Sequence, residues 1–503
     1  VLEHLRPREV WNIFENIISN TPRGSKKEEK IRAKIKKWIK EKSEKLGIEV
    51  EINEDLAGNI CIKMPPSQGS EARNPILLQV HMDMVWETDR EGGYDFDRSG
   101  IPLRIQDNGE WVDAIGTTLG ADDGIGIALL LAIFSEQKSI RHGPLELLFT
   151  VDEETGLTGA FNLDADKLNI TSNNLINVDS EDFGVITIGS AGGGSTEFIK
   201  KIEKKGNQDD SHDFKCMEII VEGLQGGHSG VDIHLPRANA NQLMAQILYT
   251  ISENVEIFLS KWNGGNKHNA ITRKSVAKFS FRNKKEIVKQ IEDIFNAEKL
   301  QIMEYYKMDK HELEPNLNIS NIIRDIESYV DRNESKEIIE TVFLLPQGPL
   351  TYSPVIEDLV ETSNNLAVIE TTDTEIRIVN SSRSNINSEL STFRKKLKVL
   401  GNRFNWKVNL LPSYPGWKPE KETNPLVQYV KRTYEEYADK PIKMEAIHAG
   451  LETSIIGDKI EGINMVSIGP TIENPHTPNE RVNIESVVKF YAVLKRIIQD
   501  FQL

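Results

Sequence analysis

After four apolar runs in this sequence, three times at once and once in a following loop, stand histidine and carboxylate side chains. Such groups can hold divalent cations or move protons. After the run 76–80 comes His81-Met82-Asp83. If extended geometry continues there, His81 and Asp83 point the same way. A metal-bound histidine commonly passes its other ring N–H to a carboxylate, which fixes the tautomer. A structural role is the simpler reading of the pair alone. After 145–151 come Asp152, Glu153 and Glu154. Neighbouring strand residues face opposite ways, so one glutamate can bind metal while the other shuttles a proton on water. The bland alternative is two solvated loop glutamates. Asp179 ends 175–178 in the same manner, which weakens that alternative.

Two further pieces complete the set. In Gly116-Thr117-Thr118-Leu119-Gly120-Ala121-Asp122-Asp123-Gly124 a glycine-rich approach leads into an apolar segment. Either aspartate could simply cap that helix. The functional reading makes Asp122 a bridge between two cations, because unpaired charges side by side in a cleft are costly. His476 follows 463–468, in a loop stiffened by Pro470, Pro475 and Pro478. A lone loop histidine is usually not a ligand, but beside several carboxylates it offers a second nitrogen donor. Competing chemistries lack their residues. There is no G-x-S-x-G elbow, no Walker loop, no dinucleotide fingerprint and no H-E-x-x-H pair.

The elements that must position these residues follow from apolar patterning. Residues 8–18 are predicted as a helix, with Pro7 at its start and Trp11, Phe14, Ile17 and Ile18 on one stripe. A second helix is predicted over 26–46, with Ile31, Ile35, Trp38 and Ile39 on one face and Gly47 to end it. Its lysines are a solvated face. The runs 76–80, 145–151, 175–178 and 463–468 predict strands, and 124–134 a buried helix. Apolar strands alternating with helices indicate an α/β sheet covered on both faces. Ligands of such sheets bind beyond the carboxyl ends of the strands, where the residues above stand. Ala191-Gly192-Gly193-Gly194 predicts a hinge, and Ser413-Tyr414-Pro415-Gly416 a return. Between them strand-like pieces alternate with charged helices such as 284–299. The expected organisation is a catalytic domain in two segments, 1–190 and 413–503, with a second domain, 191–412, inserted.

Composition sets the outer bounds. The chain has 503 residues, 38% hydrophobic and 27% charged, a soluble globular profile with room for two or three domains. A net charge of −16 repels phosphate backbones and anionic membranes, so neither nucleic acid nor membrane is an expected partner. Cys61 and Cys216 are too few for a disulfide framework or a Cys-rich zinc site, and both are expected to be buried. Positions 1–10 have no apolar leader core. The longest apolar run, 124–134, falls short of the roughly 20 residues of a membrane span. A cytoplasmic protein is expected.

Several segments together resemble one family. They are LLQVHMDMV (77–85), GTTLGADDGIGIA (116–128), TVDEETGLTGA (150–160), LINVDSED (175–182), GLQGGHSGVDIH (223–234), SYPGW (413–417), HAGLE (448–452) and VSIGPTIENPHTPNERV (466–482). In this order they resemble the aminoacyl-histidine dipeptidase branch of the di-zinc exopeptidases, the family that includes carnosinase. The resemblance implies an α/β, mixed-sheet catalytic domain with an inserted α+β lid and dimerisation domain. It implies that His81, Asp122 and Asp179 bind one zinc ion and that Asp122, Glu154 and His476 bind a second. Asp83 is then the partner that orients His81, Glu153 is the general base and later the acid, and a cis peptide bond follows Asp122. His228 is implied to stabilise the oxyanion, from its own or the partner subunit. Arg383 is read as a clamp on the substrate's carboxylate. The HAGLE segment, with His448 and Glu452, is expected to line the substrate pocket. The implied activity is hydrolysis of Xaa-His and other unblocked dipeptides by a zinc-bound hydroxide, in a homodimer. Co2+ or Mn2+ are possible substitutes for zinc. The alternatives are an N-acyl amino acid deacylase or tripeptide aminopeptidase on the same scaffold, or a non-catalytic peptide-binding protein. Two departures bear on substrate preference and lid detail: Thr453-Ser454 stands where relatives have Cys-Gly, and 284–348 carries no recognisable motif.

Overall fold

The structure, a computed structural model, describes residues 1–205, 213–307, 313–438 and 441–503. The chain divides into two units. One is Val1–Ser190 with Trp417–Ala446 and Leu451–Leu503; the other is Ala191–Gly416 with Ile447–Gly450.

The first unit is built on an eight-stranded sheet in the order Glu51–Glu54, Ile60–Met64, Leu145–Thr150, Ile76–His81, Asn174–Asn177, Asn464–Ser467, Val185–Ser190, Lys443–Ile447. The four strands from Leu145–Thr150 to Asn464–Ser467 are mutually parallel, and antiparallel strands flank them. The sheet is therefore mixed. Parallel strands are buried on both faces and lose the in–out alternation of exposed sheets. Accordingly, Ile76–His81 and Leu145–Thr150 are buried at every position. His81 pairs with Thr150, and Gln79 and Ser467 both pair with Asn177, so the carboxyl ends of the four strands lie level.

Helices complete this unit. Ala121–Glu136 is buried from Ala121 through Phe134 and packs on Ile76–His81 and on Arg8–Ile13. The helix expected over 8–18 is α-helical only over Arg8–Ile13 and widens into a π-helix over Phe14–Ile18, where Ser19 N–H reaches back to Phe14 O. The helix expected from residue 26 begins at Glu29, because Lys26 sits at φ 65°, outside helical geometry. Gly47, at φ 60°, ends it, donating its N–H to Glu44 O.

The second unit is an antiparallel nine-stranded sheet with helices, an α+β arrangement. Helices Ala240–Asn254, Lys285–Tyr306 and Arg332–Leu344 contribute Leu248, Phe295 and Ile338 to a core that also holds Phe279 and Trp262 from the strands. Within the charged stretch 284–348, residues 308–312 lie outside the described residues. The glycines at 192–194 are not a hinge. They open strand Gly192–Lys201, paired with Glu375–Ser384 on one side and Lys407–Tyr414 on the other. Glycine is needed there for room: a Cβ on Gly193 would sit 2.6 Å from Tyr414 Oη, and one on Gly194 2.7 Å from Arg394 Nη1. Lys407–Tyr414 is an outer strand of this sheet, so the first unit resumes only at Trp417. Both cysteines are buried. No helix among the described residues is long and apolar enough to cross a membrane.

Candidate metal centre

At the carboxyl ends of the parallel strands, two histidines face one aspartate. His81, the last residue of its strand, places Nε2 2.9 Å from Asp122 Oδ1 and 3.4 Å from Asp179 Oδ1. Its Nδ1 lies 3.3 Å from Asp83 Oδ1. His476 Nε2 lies 3.0 Å from Asp122 Oδ2 and 2.8 Å from Glu154 Oε2. Asp122 thus turns one oxygen toward each imidazole. Ligand atoms of His81, Asp122 and Asp179 lie within 4.8 Å of one another, as do those of Asp122, Glu154 and His476, and those of His81, Glu153 and Glu154. The first two of these three sets adjoin and share the Asp122 carboxylate.

Local backbone geometry makes this possible. Asp122 (φ −80°, ψ 112°) and Asp123 (φ −105°, ψ 37°) interrupt the helix Ala121–Glu136, and the peptide bond between them is cis. The element as a whole starts after Gly120, which has no side chain to cap it. Glu153 and Glu154 do not divide by strand alternation either. The strand stops at Thr150, and Asp152 at φ 49° turns the chain. Asp83 fixes the outcome: its Oδ1 accepts the Glu153 N–H at 3.0 Å and its Oδ2 the Glu154 N–H at 3.3 Å. The carboxylate beside His81 therefore also positions both glutamates.

Electrostatics favour a cation here. Burial pushes Glu153 well above the usual carboxylate range, with Glu154 and Asp179 adding to the rise. Burial and the neighbouring Asp122 push Glu154 up to about 7. Burial raises Asp179 as well. Against burial, hydrogen bonds from His476 and His81 hold Asp122 low. His476 is pushed up to about 11: burial opposes this, but Asp122 and Glu154 prevail. Glu154 Oε1 is buried without a hydrogen-bond partner, a lone pair open to a ligand. Two imidazoles with several carboxylates are a donor set that suits zinc and its borderline neighbours.

Three expected site residues lie in the second unit. Arg383 is 7% exposed, donates from Nη1 to Tyr414 Oη at 2.8 Å, and leaves Nε without a partner. His448 Nε2 lies 2.7 Å from Ser363 Oγ, and burial followed by Arg383 pushes its imidazole down to about 3. His228 Nδ1 accepts backbone N–H groups from Gly230 at 3.2 Å and Val231 at 3.0 Å. A neutral imidazole with Nδ1 so engaged carries its hydrogen on Nε2. Arg383 Nη2 approaches that nitrogen at 3.5 Å.

Glu452 departs from the expectation that it lines a substrate pocket. It is fully buried in the first unit, and its Oε2 accepts from Gln79 Nε2 at 2.6 Å and Thr150 Oγ1 at 2.5 Å. Asn177 Nδ2 donates to Gln79 Oε1 at 2.7 Å, and Ser467 Oγ donates to Asn177 Oδ1. A polar chain thus crosses the four parallel strands and ends on this carboxylate. Two other buried charges, Arg23 and Glu480, were not singled out by sequence reasoning. Both bond to the backbone of the loops that carry the ligands.

Residues 77–500 match the model of peptidase family M20/M25/M40. The chain belongs to this family. This M20 chain is 35% identical over 502 residues to the cytosol non-specific dipeptidase of Escherichia coli (strain K12), covering 99% of each. It is similar to the aminoacylhistidine dipeptidase structure from Vibrio alginolyticus, with a TM-score of 0.85 and 31% identity over 100% of this chain and 98% of that one. A tripeptidase from Staphylococcus aureus matches at a TM-score of 0.54 and 15% identity, over 98% of both chains. That last likeness speaks for the fold alone.

Proposed function

We propose that the chain is a two-zinc dipeptidase that hydrolyses Xaa-His and other unblocked dipeptides. The observation that carries this reading is Asp122, with one carboxylate oxygen toward each of two histidines. Full-length similarity to the two dipeptidases supports the substrate class. His81, Asp122 and Asp179 hold one ion, and Asp122, Glu154 and His476 hold the other, with Asp83 orienting His81. Cobalt or manganese can replace zinc in such a donor set.

When bound by these residues, such ions would supply Lewis-acid chemistry, the lowering of a water's pKa from roughly 16 towards about 7. The chain's own groups do the rest. The Glu153 carboxylate takes the proton of the attacking water and hands it to the leaving amine. His228, with hydrogen on Nε2, donates to the developing oxyanion, from its own or the partner subunit. Arg383 pairs with the substrate's free carboxylate, which restricts substrates to short peptides. On this reading the first unit is the catalytic domain, while the second, built on Ala191–Gly416, is a lid through which a homodimer forms. The location assigned is the cytoplasm.

Metal analysis combined with a substrate panel tests the reading. Two zinc ions per chain and turnover of Xaa-His dipeptides are expected. Turnover of N-acyl amino acids or tripeptides alone would replace the dipeptidase assignment. A zinc-loaded protein that cleaves none of them would be a binding protein.

A further inference from the structure

Two buried side chains of opposite charge lie beneath the ligand loops and take no part in the steps above. Glu480, 2% exposed, sits on the loop that follows His476. Its carboxylate accepts four consecutive backbone N–H groups: Leu119 and Gly120 on Oε2, both at 2.8 Å, and Ala121 and Asp122 on Oε1, at 2.7 and 3.2 Å. These are donors that a helix start leaves without partners, and a negative charge suits that end of the helix. Arg23, also 2% exposed, donates from Nη1 to Asp83 O at 2.7 Å and Met82 O at 3.2 Å, and from Nη2 to Gly120 O.

We propose that Glu480 and Arg23 are positioning residues, which together hold Asp122 at the place where one carboxylate serves both metal ions. This rests on the two-metal reading above. Glu480 ties the bend 119–122 to the loop carrying His476. Arg23 ties the same bend to the strand end carrying His81 and Asp83. Three of the five ligand-bearing segments, those of His81, Asp122 and His476, are thus joined through two side chains. The fit around Arg23 is close: a Cβ on Gly120 would lie 2.6 Å from Nη2, and one on Gly124 2.4 Å from it. A planar guanidinium can serve three carbonyls at fixed angles, which a lysine ammonium does not reproduce. Burying two charges is costly unless each is fully bonded. Here the hydrogen bonds of both groups go to backbone, while Arg23 Nε is buried without a partner, so the charges serve to fix loop geometry at some cost in stability.

The second unit offers a control. Glu314, fully buried, accepts backbone N–H groups from Gln225 at 2.8 Å and Ala238 at 2.9 Å and touches no proposed ligand. The experiment titrates Mn2+ into metal-depleted full-length wild type, Glu480→Gln, Arg23→Lys and Glu314→Gln, and reads affinity by calorimetry and exchange coupling by electron paramagnetic resonance. Wild type should take up two ions with a coupled spectrum. Glu480→Gln turns an N–H2 toward backbone N–H groups, so the second ion should bind about 10- to 100-fold more weakly and the coupled signal should fade. Arg23→Lys should shift both in the same direction and decides the matter if Glu480→Gln does not fold. Glu314→Gln should lower Tm and leave both metal readouts unchanged. Wild-type affinity and coupling in Glu480→Gln and Arg23→Lys would overturn the proposal, whatever their Tm. A wild type that binds no pair of ions would overturn the metal reading itself, and the brace with it.

Discussion

Around Asp122 the first unit gathers carboxylates that burial drives toward their protonated forms; around Arg383 the second unit gathers imidazoles that burial drives toward neutrality. Glu153, Glu154 and Asp179 are all raised, while His448 and His268 are lowered, each with burial as the leading cause. Desolvation penalises charge of either sign. What differs is the partner each cluster lacks. The acidic cluster is completed by cations. The cluster built on the Arg383 guanidinium is cationic, with Nε buried and without a partner.

Substitutions can break this comparison. The largest effect is expected for Asp122→Ala, which should lose bound metal and turnover together, read by metal analysis and kcat/KM. Glu153→Ala should keep most of the metal yet lose about 10²- to 10⁴-fold in kcat, and equal activity to wild type would reject it as the base. His228→Ala should cost about 10²- to 10³-fold in kcat without stripping metal. Arg383→Ala should act mainly on KM, by about 10- to 100-fold for a free dipeptide, and much less for a C-terminally amidated one. The smallest effect concerns stability. His448 sits near 3 in the folded chain against an ordinary 6.5, so the unfolded chain takes up the proton first. Its contribution is whole above about pH 6.5 and is lost as pH falls toward 3, by up to about 1.4 kcal/mol per pH unit. Urea midpoints of His448→Asn should therefore fall less steeply on acidification than those of wild type.

The frame of the catalytic unit was legible because its physics is local. Four apolar runs mark the parallel strands, and the residues after them mark the site. What escaped acts across long separations or depends on close packing. Glu480 contacts residues 358 to 361 positions away, and nothing in Pro478-Asn479-Glu480-Arg481 distinguishes a buried carboxylate from a solvated one. Arg23 follows Thr21-Pro22 in a stretch where nothing marks a buried guanidinium. The glycines at 192–194 read as flexible because the sequence does not reveal that Tyr414 and Arg394 crowd them. The HAGLE segment suggests a pocket position for Glu452, whereas its burial follows from Gln79 and Thr150, polar residues inside apolar strands.

The two cysteines fall one to each unit, Cys61 on strand Ile60–Met64 and Cys216 on strand Phe214–Glu222. Burial raises both thiols, Cys216 to about 11 and Cys61 further. Alkylating reagents attack the thiolate, so neither sulfur reacts until its own sheet opens. The protein thus carries a built-in pair of opening reporters. Mass-resolved labelling rates at the two sites would tell whether the halves breathe together or one at a time.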